Sequence, residues 1–149
     1  MISVNILEHQ NGIKTLYSKC VGEICQKYGI TRMELDILLF LANNPCFDTA
    51  QEIVEIRYLS KSQVSASVKT LEKSGYVRKE YAENNRKTAH LKICDGASGI
   101  VADGRKAQEK FVSIMTQGIP GEDLECLKRC MTNMMHNIDF YLKEENNNV

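Results

Sequence analysis

The chain has no tryptophan, only two prolines among its 149 residues, and no surplus of charge of either sign, since nineteen Lys and Arg stand against nineteen Asp and Glu. So little proline, with nine glycines, excludes a collagen-like or low-complexity chain. No long apolar run is present. The densest, Leu35 to Ala42, is broken by Asp36 and falls far short of the roughly 20 residues that cross a bilayer. The opening Met1 to His9 has no basic stretch followed by an apolar core, so no secretory signal is expected and the location is read as cytoplasmic, without a membrane partner. There is no C-x-x-C among the six cysteines and no H-x-x-x-H among the three histidines. Neither a zinc site nor any other metal or cofactor is expected, and the cysteines are read as free thiols. Around Cys46 or Cys94 with His90 no nucleophile–base–orienter pattern is readable, so no enzymatic activity is expected. The balanced charge counts, at first, against a nucleic-acid partner, which commonly needs a basic surplus.

What is present is an ordinary globular composition, 43% hydrophobic and 26% charged, in a length that suits one domain. Ile13, Leu16, Tyr17, Cys20, Val21, Ile24 and Tyr28 recur mostly at steps of three and four, a helical stripe that Gly29 ends. Three capping boxes follow. Thr31–Glu34 opens a short apolar helix to Ala42, Thr49–Glu52 opens another to about Arg57, and Ser60–Gln63 opens a third to Ser74 with Gly75 beyond. The period then changes to two. Val77, Lys79 and Tyr81 alternate with Arg78 and Glu80, and Ala89, Leu91 and Ile93 alternate with Thr88, His90 and Lys92, which predicts a β-hairpin. The polar stretch Ala82–Arg86 is its expected tip. Asp95 is expected to cap a long helix to Gln117, stopped by Gly118. A last helix from Gly121 carries the stripe Leu124, Leu127, Met131, Met134, Ile138 and Tyr141, and the tail Glu144–Val149 is expected to fray. Helices packed as a helix-turn-helix and followed by a hairpin are the winged-helix order, flanked here by long helices.

Resolved along the chain, the zero charge is uneven. Between Arg57 and Lys92 there are nine basic and three acidic residues, a surplus of six that the remainder of the chain cancels. On the helix Ser60–Ser74, Val64, Val68 and Leu71 share an inward face, and Ser62, Gln63, Ser65, Ala66, Lys69 and Lys73 share the opposite one. Gln and Ser bond base edges and Lys meets phosphates. With Ser60 and Lys61 at the helix start, and Arg78, Arg86 and Lys87 on the hairpin, these form the expected DNA-contact set. Arg86 at the tip would enter a minor groove. A plain solvated helix face is the bland alternative.

The run Leu59–Val77, with its Leu-Ser, Val-Ser, Leu-Glu and Gly-Tyr-Val elements, resembles the recognition helix and wing start of MarR-family transcriptional regulators, and Asn84-Asn85-Arg86 stands where that family has Asp-x-Arg. Two departures are visible. Ala66 stands where the family often has Arg, removing one expected DNA contact, and Asn84 replaces the wing Asp, leaving at most a neutral hydrogen bond to order the tip. The resemblance implies a mainly α, α+β winged-helix fold of six helices and a two-stranded wing. It divides into an N-terminal dimerisation helix (1–30), a DNA-binding lobe (31–94) and C-terminal dimerisation helices (95–149) within one structural domain. It further implies a homodimeric, ligand-responsive repressor on a pseudo-palindromic operator in double-stranded DNA. The apolar stripes support the dimer independently: with Ile100, Val101, Ala107, Phe111, Ile114 and Met115 added, they exceed what one small lobe needs, although an intrachain core would also use them. A small lipophilic or phenolic effector, as the family commonly takes, would be lined by Tyr17, Tyr28, Met33, Phe40 and Met115, residues that also suit plain core. Oxidant-sensing relatives make Cys20 and Cys25 the candidate redox thiols. Cys126 and Cys130 lie one helical turn apart but would need further metal ligands from elsewhere. The alternatives are a thiol-based redox regulator and a winged-helix protein-interaction module that binds no DNA.

Overall fold

The computed structural model describes residues 6–147. The elements run α1 (Ile6–Tyr28), α2 (Arg32–Asn43), α3 (Ala50–Arg57), α4 (Lys61–Lys73), β1 (Val77–Ala82), β2 (Asn85–Ile93), a 3-10 turn at Asp95–Ala97, α5 (Ser98–Thr116) and α6 (Gly121–Asn147). These are the expected helices and antiparallel hairpin. Two compact units divide the chain, Met1–Phe111 and Val112–Val149. Among the described residues no helix is long and apolar enough to cross a membrane.

The helix starts follow from side chains that satisfy orphan amides. Thr31 Oγ1 accepts the Glu34 N–H at 3.2 Å, while Glu34 Oε2 accepts the Thr31 N–H at 2.9 Å. Thr49 and Glu52 repeat the pattern at 3.2 and 2.9 Å. Each such cap contributes about 1 kcal/mol. The third box is only half made. Ser60 Oγ accepts the Gln63 N–H at 3.4 Å, but the Gln63 side chain does not reach back. Gly29 and Gly75, just past α1 and α4, have φ of 63° and 75°, where a side chain would be strained. The end of α3 uses Tyr58 in the same region, at φ 51°.

In the first unit α2 is the buried axis. Leu35, Ile37, Leu38 and Leu39 are at most 1% exposed. They are enclosed by Val21 and Ile24 of α1, Ile53 of α3, Val64, Val68 and Leu71 of α4, Val77 and Leu91 of the hairpin, and Ile100 of α5. Full burial of each such side chain stabilises by about 1.5–3 kcal/mol. Gly104 lets α5 come close: a Cβ there would stand 2.8 Å from one Leu39 methyl and 3.2 Å from Leu35. The glycine that weakens the helical pattern in sequence is thus a contact point in the fold.

Three expectations need correction. Asp95 does not cap the long helix. The chain makes one 3-10 turn from Asp95 to Ala97, which buries Ala97 completely, and α5 opens at Ser98 with Ser98 Oγ donating to the Asp95 carbonyl at 2.8 Å. The hairpin loop is tighter than Ala82–Arg86. Ala82 pairs with Asn85, leaving Glu83 and Asn84 as the loop, with an irregular register between Glu80 and Ala82. Neither loop residue has a positive φ, so this is not one of the primed turns that usually close a two-residue hairpin. The tail is helical through Asn147. Asn148 and Val149, like Met1 to Asn5, lie outside the described residues.

In the second unit, no residue of α6 whose side chain is described is buried, and its large apolar side chains from Leu127 to Tyr141 are all at least 38% exposed.

Gly104→Val is expected to lower stability by about 2 kcal/mol, because its side chain would run into the buried Leu39 and Leu35. Urea denaturation checks this, and an unchanged midpoint would show that α5 can move off α2 freely.

Candidate nucleic-acid interface

Packing of Val64, Val68 and Leu71 into the core turns the opposite face of α4 outward, and Ser62, Gln63, Ser65, Ala66, Lys69 and Lys73 are all exposed on it. Ser60 and Lys61 are exposed at its start, and Arg78, Arg86 and Lys87 on the strands. The structure therefore places every residue of the expected contact set at the surface. It does not leave them all equally available. Arg78 Nε and Nη2 both donate to Glu80 Oε1, at 2.9 and 2.7 Å, and the bonded carboxylate raises the guanidinium pKa. Lys79 lies 3.0 Å from Glu72 of α4. Among the described residues Arg57, Lys61, Lys69, Lys73, Arg86 and Lys87 have no ion-pair partner.

Arg86 is not at the tip. It is the second residue of β2, and the loop before it is Glu83-Asn84. The asparagine that orders this turn is Asn85 rather than Asn84: Asn85 Oδ1 accepts the Lys87 and Thr88 amides at 3.0 and 3.3 Å, and its Nδ2 donates to Thr88 Oγ1 at 3.1 Å.

The hairpin is tied to the helices by a residue outside the basic segment, Asp48. Its backbone carbonyl accepts the Leu91 N–H at 2.7 Å, and Thr49 forms a single antiparallel bridge with His90. Its carboxylate receives Lys92 Nζ at 2.6 Å and lies 2.6 Å from His90 Nδ1. Partial burial pushes this carboxyl up, but the Lys92 and His90 bonds outweigh burial and hold it below its ordinary value. Lys92 is raised in turn. Lys92 is thus fixed to Asp48, and His90 is engaged there too.

A groove of about 420 Å³ separates α3 from the start of α4, with Val54 and Val64 on its floor and Gln51, Glu55, Lys61 and Ser65 at its rim. Gln51 Nε2 donates to Glu55 Oε1 at 2.8 Å. Sequence reasoning singled out neither Asp48 nor the Gln51–Glu55 pair. The second capping box could have drawn attention to them, since Gln51 lies within it and Asp48 and Glu55 lie close on either side.

The expected effector residues have different surroundings. Tyr17 meets Phe111 edge-on at 5.1 Å between centroids and lies under the Arg32 guanidinium at 4.1 Å. Its hydroxyl donates to Asp36 at 3.4 Å, and burial raises its pKa. Tyr28 donates to Asp103 at 2.9 Å, near where Lys27 bonds the same carboxylate at 2.7 Å. Phe40 is buried in the core, Met33 packs against it, and Met115, in the second unit, is exposed. Of the candidate thiols, Cys25 is partly buried and burial pushes its pKa up, which disfavours the reactive thiolate. Cys20 is half-buried at a groove that Lys27, Lys106 and Lys110 also line. Among the described residues no group of His, Cys, Asp or Glu is arranged to hold a metal.

Three capped helices, a tied two-stranded wing and an outward polar helix define a winged helix-turn-helix protein. The sequence pattern of the MarR family matches residues 28–87. A MarR-family regulator from Listeria monocytogenes, crystallised with a 26-mer DNA, superposes with a TM-score of 0.80 at 18% identity, over 95% of this chain and 96% of its own. A MarR protein from Peptoclostridium difficile gives 0.78 at 14% identity, over 93% and 90%. The transcriptional regulator SlyA gives 0.78 at 14%, over 91% and 95%. At such identities the likeness to these structures is one of fold. No curated protein sequence matches significantly. Residues 28–87 thus carry the sequence pattern of the MarR family, and the fold of the chain is that of the winged-helix structures to which it is similar.

Asp48→Asn tests the tie between wing and helices. A carboxyl whose pKa is lowered by folding stabilises in full above its ordinary value of 3.8 and loses that contribution as pH falls through the folded value. Near neutral pH the variant is expected to be less stable by up to about 1 kcal/mol, because the partners are well exposed to solvent. The deficit should vanish in acid. Denaturant midpoints across pH check this, and a pH-independent deficit would assign the loss to packing instead of charge.

Proposed function

We propose that this protein is a sequence-specific regulator that binds double-stranded DNA as a homodimer on a pseudo-palindromic operator. The observation that carries the DNA reading is a set of exposed cations without an ion-pair partner among the described residues, Lys61, Lys69 and Lys73 on α4, Arg86 and Lys87 on β2, and Arg57 at the end of α3. A winged-helix module that only binds protein would be expected to lose that groove-facing charge. The Listeria monocytogenes protein of the same fold was crystallised with DNA, which supports the assignment. The remaining acidic surplus lies outside the Arg57–Lys92 segment and would keep the rest of the surface off the phosphates.

The dimer is supported by α6, whose apolar residues find no cover within the second unit. Two-fold symmetry would set paired α4 helices in successive major grooves, about 34–36 Å apart. Repression by occupying the operator, and its relief by a small lipophilic effector, are what the likeness to the MarR family implies.

Binding to DNA fragments is expected to weaken steeply with salt, and Lys69→Ala and Lys73→Ala are each expected to reduce the log–log salt slope by about 1. Polarisation assays across salt check this; no affinity at low salt for any fragment would overturn the DNA reading. The native chain should sediment as a dimer at micromolar concentration, and Met131→Glu combined with Ile138→Glu should give monomers with weaker operator binding. A native monomer would refute the dimer.

A further inference from the structure

We infer that Cys126, Cys130 and Met134 of α6 form a three-sulfur site for a soft monovalent cation, Cu(I). Neither the DNA reading nor the dimer is needed for it.

Helix α6 runs without proline from Gly121 to Asn147, and these three residues follow one another along it at steps of four. Residues four apart on a helix are surface neighbours, and each such step turns by only about 40° at 3.6 residues per turn. Cys126, Cys130 and Met134 therefore stand in one row. Both cysteines are free and exposed, and Met134 is 38% exposed, so the row is open to an ion from solvent.

The same spacing decides what the row can hold. Cβ atoms at i and i+4 are about 5–6 Å apart, whereas a disulfide needs about 3.5–4.5 Å. Cys126 and Cys130 thus stay a dithiol while the helix is straight. An ion that bridges two sulfurs spans more: with metal–sulfur bonds of about 2.3 Å, it holds them up to roughly 4.6 Å apart.

The donors select the ion. Zinc takes four ligands in a tetrahedron, from thiolate, imidazole or carboxylate. Among the described residues no three of His, Cys, Asp and Glu gather into such a set, so Glu122 and Asp123, one turn before Cys126, do not complete one. What the next turn supplies is a thioether. Thiolate and thioether are the soft ligands that select Cu(I). Met134, unbranched and with three rotatable bonds, is free to bring its sulfur to the pair. Arg129, exposed and three residues after Cys126, has no ion-pair partner among the described residues and stands beside the anionic dithiolate complex. Loading releases the two thiol protons and leaves copper at +1 and all three sulfurs in their reduced state.

The test is transfer of Cu(I), without air, from its coloured bicinchoninate complex to the reduced full chain. We expect one equivalent to bind that Cys126→Ser combined with Cys130→Ser no longer takes up, and X-ray absorption at copper to show sulfur neighbours alone. Both cysteines are exposed, so serine there should leave the fold intact. Met134→Leu should keep the equivalent but weaken it by roughly ten-fold or more, since losing even an outer partner of a metal ligand costs that much. Uptake that the double variant retains in full, or that Met134→Leu leaves at native strength, would overturn the site. Nitrogen or oxygen neighbours at copper, or Zn(II) that expels Cu(I), would do the same.

Discussion

A helix that carries Leu35, Ile37, Leu38, Leu39, Phe40 and Leu41 has no polar side to give to water. Such a segment must be enclosed, and the architecture of the first unit follows from enclosing it. Helix α1 covers it with Val21 and Ile24, α4 with Val64, Val68 and Leu71, the hairpin with Val77 and Leu91, and α5 by the close approach at Gly104. The polar groups that α2 does carry are matched at once: Glu34, nearly buried, accepts the Thr31 amide, and Asp36 accepts Arg32 at 2.9 Å. Because α4 must give its apolar side to this centre, its serines, glutamine and lysines are turned out by default. The core thus sets which residues face outward.

Charge tells a second story, in which linear and spatial accounting differ. Arg78, Lys79 and Lys92 contribute to the basic surplus read along the chain, yet each is held by a carboxylate, from Glu80, Glu72 and Asp48 respectively. These three bind the wing to itself, to α4 and to the start of α3. The cations left over lie on the outward side. Paired and unpaired cations are therefore mixed in one stretch of sequence and are told apart only by the fold.

How legible this was depended on range. The capping boxes at Thr31 and Thr49 act over three residues, and their helices begin where the boxes predict. Strand alternation is equally local, and so the hairpin was readable. The loop length was not, since pairing of Ala82 with Asn85 depends on how the strands twist together, and this moved Arg86 from the tip into β2. Asp48 and His90 are 42 residues apart, and no local pattern announces their contact. Gly104 read as a helix weakness because its justification, the Leu39 methyls, lies on another helix. For the candidate site, the face of α4 could be named from periodicity alone, whereas which hairpin cations were already engaged could not.

The one-residue bridge at Thr49 has a mechanical consequence. A free hairpin can hinge at its base, but this one is tied there by the residue that also caps α3, so swinging the wing away would break that bridge and the Asp48 bonds to His90 and Lys92 together. A double helix held by both α4 and β2 would then supply more of the groove adjustment itself, and its elasticity would become part of what is measured.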